Sequence, residues 1–429
     1  MIERIISWSI HNRFLVWVGI VMIVIGGVVA IIETPVDALP DLSENQVIIY
    51  TEWMGRNPKI MEDQVTYPLV SNLQGIPKLK SIRAASMFGM SFVFVIFNDD
   101  VDIYWARSRV LERLNYAQKF LPPGLTPSLG PDGTGVGHVF WYTLDAPGYD
   151  LGELRALQDW YIKFALQKVD GISEVASFGG FQKQYQVSID PYKLIYHKVP
   201  MMDVINAITR NNRDVGGSIF EMNGSGYLIK GLGYIKSLDD IKEIPVGTYK
   251  SIPVKISDVA AVQMSSDLRL GITDLNGEGE VVGGIVVMRY GENAKDLIVR
   301  VKERMKEVEK GMPAGVKFKI AYDRSDLILG AIGTLKEAIT EEILTVSLVV
   351  LVFLFHIRSG LVAIFNIPLC VLIGFMMMNL FGITSNLMSL GGVALAVGDL
   401  VDSGIVMTEN AYRQLTNQVL KIDDKKLEY

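Results

Sequence analysis

Between Arg358 and Asp399 the chain runs for forty residues without a charged side chain. About 20 apolar residues, rising 1.5 Å each as a helix, cross the hydrocarbon core of a bilayer. One helix cannot use all forty. Phe381-Gly382-Ile383-Thr384-Ser385-Asn386 supplies turn chemistry near the middle, so two spans are expected, Leu361–Leu380 and Leu387–Val406, with Pro368 inside the first. A second charge-free run, Phe14 to Ile32, has nineteen residues flanked by Arg13 and Glu33. It is too long for a signal-peptide core, and no small-residue cleavage site follows, so a retained span is expected. Ile343–Phe355 has only thirteen residues, preceded from Asp326 by a helical pattern with Lys336, Glu341 and Glu342. The economical reading is one long helix that leaves a soluble domain and enters the membrane near Glu342; a buried core helix is the alternative. Four spans put both termini on one side, where Arg4, Arg13, Arg358, Arg413, Lys421, Lys425 and Lys426 mark the cytoplasm. Some three hundred residues, Glu33 to about Leu329, then face the other side.

That intervening region reads as soluble protein. The net charge of -6 argues against nucleic acid as a partner, which wants a concentrated basic face. Cys370 is the only cysteine and lies in an apolar run, which excludes a disulfide framework. The chain has no G-x-x-x-x-G-K-[ST] loop for ATP, no nucleophile–base constellation and no Cys/His metal spacing, so an enzyme is a poor reading.

Alternation and periodicity predict a strand at Gln46–Trp53, a helix at Lys59–Leu73, a hairpin from Lys80–Ser86 and Ser91–Phe97, and a helix from Tyr104 to Phe120 stopped by Pro122-Pro123-Gly124. This is a split βαβ order without its last strand, which the sequence does not place. The pattern recurs: strand His138–Leu144, helix Leu151–Val169, a second hairpin from Glu174–Phe178 and Gln184–Ile189, and a helix at Met201–Thr209. Gly75-Ile76-Pro77 and Gly171-Ile172-Ser173 occupy equivalent places, and an internal duplication explains them. Short glycine-rich strands between Val215 and Leu270 read as an inserted β-rich subdomain. Strand Glu280–Arg289, helix Ala294–Lys310 and strand Val316–Tyr322 close the second unit.

Several segments carry a more specific likeness. They are Thr34-Pro35-Val36-Asp37-Ala38-Leu39-Pro40-Asp41-Leu42, Asp63-Gln64-Val65-Thr66-Tyr67-Pro68-Leu69, Tyr104-Trp105-Ala106-Arg107-Ser108-Arg109-Val110-Leu111, Gly130-Pro131-Asp132-Gly133-Thr134-Gly135-Val136-Gly137, Met388-Ser389-Leu390-Gly391-Gly392 and Glu409-Asn410. Together they resemble the N-terminal half of a heavy-metal efflux pump of the resistance–nodulation–division superfamily. The resemblance implies an α+β membrane protein with four transmembrane helices and a periplasmic porter domain. The porter would hold two ferredoxin-like split βαβ subdomains with an inserted β-rich docking subdomain. Expected boundaries are 1–33 for the cytoplasmic N-terminal helix and first span, 34–134 for porter subdomain 1, and 135–214 with 271–328 for porter subdomain 2. The docking subdomain is 215–270, spans two to four are 329–411, and the cytoplasmic tail is 412–429. The same resemblance implies a homotrimer in the bacterial inner membrane, in contact with lipid and joined to a periplasmic adaptor (membrane fusion protein) and an outer-membrane channel. No cofactor is implied; the proton motive force drives export, with the metal ion as substrate.

Asp399, Asp402 and Glu409 fall near one helical stripe, at spacings of three and seven. An Asp inside an apolar helix costs a few kcal/mol to insert when ionised, about 2.5–3.5 on insertion scales. Desolvation raises its pKa, and a carboxyl so poised can relay protons. The family carries its relay aspartate at the position of Asp402. Asp399 is either a second relay group or the lining of a water pocket; Glu409 is either a relay group or the i+4 partner of Arg413. For the metal, the zinc, cobalt and cadmium branch usually has an additional Asp six residues before the central one, where this chain has Ala396. Ala394-Leu395-Ala396-Val397-Gly398 looks more like the copper(I) and silver(I) branch, and thioethers suit such soft ions. Met388 and Met407 match two relay positions of that branch, whereas Leu400 and Leu268 occupy two others and cannot ligate. Met264 and Met376-Met377-Met378 are either substitutes or packing, and His138 and His197 read as structural. Divalent-metal efflux, or a short non-transporting module that associates with full-length pumps, are the competing functions.

Overall fold

The computed structural model describes residues 8–9, 11–269, 271–354, 357–396, 399, 403, 406–407, 410 and 414. The first long helix, α1, spans Arg13–Glu33. Its mean hydropathy is 3.0, and among the described residues it alone is both long and apolar enough to cross a bilayer. Phe14, Trp17, Met22, Ile25 and Ile32 are each more than 60% exposed, a surface that suits lipid rather than water.

Residues 46–129 form the first soluble unit. Strands β1 (Gln46–Glu52), β2 (Leu79–Met87), β3 (Met90–Phe97) and β4 (Ser128–Leu129) make an antiparallel sheet in the order β2-β3-β1-β4. The missing fourth strand is β4, two residues that pair Tyr50 and Ile49. Helices α2 (residues 58–73) and α3 (Ile103–Ala117) cover one face. Val47, Ile49, Val93 and Val95 of the sheet pack against Val65, Leu69, Ala106 and Val110 of the helices. Inward positions alternate along β1 and β3, as a half-covered sheet requires.

The second unit has the same order, β14-β5-β13-β6, from β5 (His138–Asp145), β6 (Ile172–Gly179), β13 (Val282–Met288) and β14 (Lys317–Asp323). Helices α4 (residues 151–166) and α9 (Ala294–Glu309) cover it. A π turn interrupts the first helix of each unit, at Glu62–Thr66 and Gln158–Ile162. Each turn ends nine residues before the glycine of the matching Gly-Ile pair, Gly75 or Gly171. This shared irregularity supports the internal duplication. In both places the bulge turns a polar side chain toward the sheet. Thr66 meets the Ser86 and Ser91 hydroxyls at 2.8 and 2.7 Å, and the buried Gln158 accepts from the Tyr142 hydroxyl at 3.0 Å.

The expected second hairpin does not form. Strand β7 (Lys183–Ile189) pairs with β12 (Ala260–Ser266), and β6 pairs instead with β13, a hundred residues further on. The reason is polarity. The central place has a strand on either side, and β13, with Val282, Val286, Val287 and Met288 buried, can fill it; Lys183, Gln184, Gln186 and Ser188 of β7 cannot. The segment between β6 and β13 also holds helices α5 (Pro191–His197), α6 (Met201–Asn211), α7 (Leu238–Lys242) and α8 (Ile256–Val259) and strands β10 (Pro245–Tyr249) and β11 (Ile252–Lys255). It has a core of its own, to which Val187, Ile189, Leu194, Val199 and Val204 contribute along with Ile241, Val254 and Ile256. Residues 183–211 thus pack with the insertion, on the far side of the expected boundary at Val215. The hairpin β8 (Val215–Met222) and β9 (Ser225–Gly231) projects from it with every residue exposed.

Helix α10 (Arg324–Leu354) follows β14 without a loop and runs 31 residues, about 46 Å at 1.5 Å per residue. It is the long helix that the sequence predicts. Helix α11 spans Ile357–Leu380, four residues longer at its start than expected, and contains Pro368. It ends in a turn with Gly382 at φ 67° and Ile383 N–H donating to Met378 O at 2.8 Å, the 6→1 bond of a left-handed helix stop. Helix α12 is described over Leu387–Ala396. Asn386 accepts from the amides of Met388 and Ser389 at 3.0 and 3.1 Å, while the Ser389 hydroxyl accepts from the Asn386 amide at 2.8 Å, a reciprocal cap that starts the helix. Ala30, Ala331, Phe375, Met378 and Leu390 bring α1, α10, α11 and α12 into one cluster.

Candidate functional site

Of the three carboxylates, Asp402 and Glu409 lie outside the described residues. Asp399 is helical and exposed, and its carbonyl accepts from the Ser403 hydroxyl at 3.0 Å. Met388, in the first turn of α12, is 72% exposed and Met407 is 67% exposed. Among the substitutes, Met378 is buried in the helix cluster and the Met376 methyl lies over Gly26, which is packing. Met264 is on β12 opposite Tyr185. His138 contacts Trp141 edge-on and His197 contacts Tyr196 and Tyr249, in keeping with structural roles. Among the described residues, no group of three or more His, Cys, Asp or Glu is arranged to hold a metal.

What the fold does bring together is a joint between the helices and the second soluble unit, built from the run that follows α1. Thr34 closes α1 by donating its hydroxyl to Ala30 O at 2.6 Å. The next residues lie alongside the turn between α11 and α12. Ser385 N–H donates to Pro35 O at 2.9 Å, Asp37 N–H to Ser385 O at 3.0 Å and Leu387 N–H to Ala38 O at 3.1 Å. Ala38 and Ile328 of α10 belong to the core of the second unit. Between them lies a buried ion pair. Arg324 Nη1 approaches both carboxylate oxygens of Asp37 at 3.3 Å, and Nη2 donates to His138 O at 3.1 Å. The two side chains are 5% and 15% exposed.

The same motif reaches the linker between the units, where the Thr134 hydroxyl donates to Asp41 at 2.9 Å. Asp132 in that linker accepts from Ser173 of the second unit at 2.5 Å and from Tyr104 of the first at 3.3 Å, with Arg289 at 3.4 Å. Burial opposes its ionisation, but these partners and a backbone N–H outweigh that, and its carboxyl sits below the ordinary Asp range. A cavity of about 540 Å³ lies at the joint, lined by Thr34, Asp37, Asp41, Thr134, Glu292 and Asn379 among others. A second cleft, about 710 Å³, opens on the uncovered face of the second sheet beside Trp141, Phe178 and Tyr322. Sequence reading quoted Asp37, Asp41 and Asp132 as motif residues without giving them a task. The one sequence signal for Arg324 is its place as a cation between a strand and the start of a long helix.

A sequence profile described as the AcrB/AcrD/AcrF family matches residues 5–427. The chain belongs to that family. The AcrB/AcrD/AcrF assignment agrees with the resistance–nodulation–division resemblance drawn from the motifs. The chain is 47% identical over 418 residues to putative cation efflux system protein SilA of Salmonella typhimurium and to cation efflux system protein CusA of Escherichia coli K12. It is 37% identical over 426 residues to cobalt-zinc-cadmium resistance protein CzcA of Cupriavidus metallidurans. Each alignment covers 97% of this chain and 40% of the relative, so the chain spans about two fifths of their length. A crystal structure of a heavy metal efflux pump superposes with a TM-score of 0.85 at 31% identity, covering 98% of this chain and 42% of that one.

Proposed function

We propose that this chain forms the N-terminal part of a proton-driven pump that exports a soft metal ion, copper(I) or silver(I), across the envelope of a bacterium. The observation that carries the reading is the 47% identity, along 97% of the chain, to two cation efflux system proteins, against 37% to a cobalt-zinc-cadmium resistance protein. Ala396 in place of the additional aspartate supports the monovalent choice.

In this reading α1, the apolar part of α10, α11 and the helix begun by α12 are four membrane spans. The termini are cytoplasmic, and residues 34 to about 329 stand in the periplasm. The two sheet units are porter subdomains and the insertion between β6 and β13 is the docking subdomain. The pump is a homotrimer of the inner membrane that joins an adaptor and an outer-membrane channel. Asp402, on an apolar helix, takes a proton from the periplasmic side and releases it to the cytoplasm. Its neutral and ionised forms favour different helix packing, and that difference drives export. Asp399 and Glu409 are secondary candidates for the same relay, and Met388 and Met407 are stations for a soft ion.

The test is growth of an efflux-deficient strain carrying the pump, in copper, silver, zinc and cobalt. Protection against copper and silver is expected. Protection against zinc and cobalt alone would transfer the chain to divalent transport. Asp402→Asn is expected to abolish protection and gradient-driven export with the trimer intact. Export against a gradient by that variant would reject the relay.

A further inference from the structure

We infer that Arg324 is a positioning residue through which movement of the membrane helices reaches the second soluble unit, an inference that rests on the transport reading only for its functional consequence. Three chains of contact meet at its guanidinium. On the membrane side, the Asp37 N–H donates to Ser385 O in the α11–α12 turn, Pro35 O accepts from the Ser385 N–H, and Ala38 O accepts from Leu387, the first residue of α12. On the soluble side, Nη2 holds the carbonyl of His138, the first residue of β5. Arg324 itself begins α10, whose Ile328 is fully buried in the second core. A shift of the start of α12 therefore moves Asp37, and Asp37 pulls on a cation bonded directly to the sheet.

Burial makes this linkage stiff. A surface ion pair contributes about 0–1 kcal/mol and its partners part easily. A buried pair resists separation, because each charge would be left uncompensated in a poor solvent for it. Among the described residues Asp37 pairs with no other cation, and the side-chain hydrogen bond that Asp41 of the same run accepts from Thr134 is exposed. The pair is also imperfect. One nitrogen of Arg324 spans both oxygens at 3.3 Å, and Nε, buried, has no acceptor among the described residues. An unsatisfied buried N–H is a reservoir of strain, and a slightly different placement of Asp37 would let it be used.

The test compares Arg324→Met, Asp37→Asn, their double variant and Arg324→Lys in the pump carrying this chain, reconstituted in vesicles. The single variants leave one buried charge or its partner unmatched and are expected to lose stability. The double variant removes both charges and keeps the fold. Two measurements are made on it. Hydrogen exchange at the amides of Asp37 and Leu387 is expected to accelerate at least tenfold, with the amide of Val286 in the sheet unchanged. Efflux of Ag(I) and of Zn(II) driven by an imposed proton gradient is expected to lose at least tenfold in maximal rate, with the half-saturating ion concentration unchanged. A purely structural loss would instead lower the amount of folded protein and leave the rate per folded pump intact. Arg324→Lys keeps the charge without the two-armed reach, and is expected to restore stability but not the full rate. A double variant that transports at the parent rate overturns the inference. If the parent itself shows no gradient-driven flux of either ion, the proposed function fails, and exchange still decides the joint: unchanged protection at Asp37 and Leu387 would overturn it.

Discussion

The close approach of α1 to α11 offers a sharp test of the helix packing, because one helix carries glycines in opposite surroundings. A methyl group at Gly27 would lie 2.6 Å from Leu372 Cβ, 2.9 Å from its Cδ2 and 3.1 Å from its Cα. Carbon atoms rest at about 3.5–4.0 Å, and the Cα is backbone, which cannot rotate aside. Gly27→Ala thus forces the two helices apart by roughly 1 Å at this level. Overpacking of this kind costs about 1–3 kcal/mol. At Gly19, by contrast, no described residue lies within 4 Å of the place a Cβ would take. Gly19→Ala gains the same helix propensity, up to about 1 kcal/mol, without the clash. The difference between the two variants therefore isolates the overpacking cost, roughly a 5- to 160-fold change in a local opening equilibrium. Hydrogen exchange of the α11 amides from Leu369 to Phe375, measured in lipid nanodiscs, reads it: Gly27→Ala should exchange faster than Gly19→Ala by that factor. Equal protection in the two variants would refute the packing of α1 on α11, and with it the role of small residues in admitting one helix to another.

Two further outcomes concern the soluble units. Asp132 is held below the ordinary Asp range, so near pH 4 the folded protein binds fewer protons there than the unfolded chain. Its contribution is present above about pH 4 and is lost as pH falls through the lowered folded value. Thermal melts from pH 7 to 3 should show Asp132→Asn less stable than the parent at neutral pH, with the gap closing at the acid end; a gap independent of pH would count against the ion-linked bridge. Gln158 is fully buried and accepts the Tyr142 hydroxyl. Gln158→Leu strands that hydroxyl and should destabilise the second unit by about 1–3 kcal/mol, checked by denaturant midpoint, and adding Tyr142→Phe should recover part of the loss.

Local elements were legible along most of the chain because their signals are local. Alternation in β1 and β3, the 3.6-residue period of α9 and the turn at residues 381–386 depend on neighbours a few positions away. Pairing was less so. Adjacency in sequence pairs the polar β7 with β6, whereas β13 has the composition of a central strand. The two-residue β4 carries no periodicity at all. The candidate site divides in the same manner. Asp399, Asp402 and Glu409 stand out by their placement in apolar sequence, a property of composition alone. Asp37 and Arg324 are 287 positions apart, and no pattern of spacing joins them.

From the sequence alone came the long apolar runs, the repeated βαβ plan and the family, since hydropathy, period and motif are written in order along the chain. Only the tertiary structure showed which strand fills the middle of the second sheet and which cation meets Asp37. Both choices depend on burial, and burial is set by segments that come together from distant parts of the chain when apolar surface leaves water.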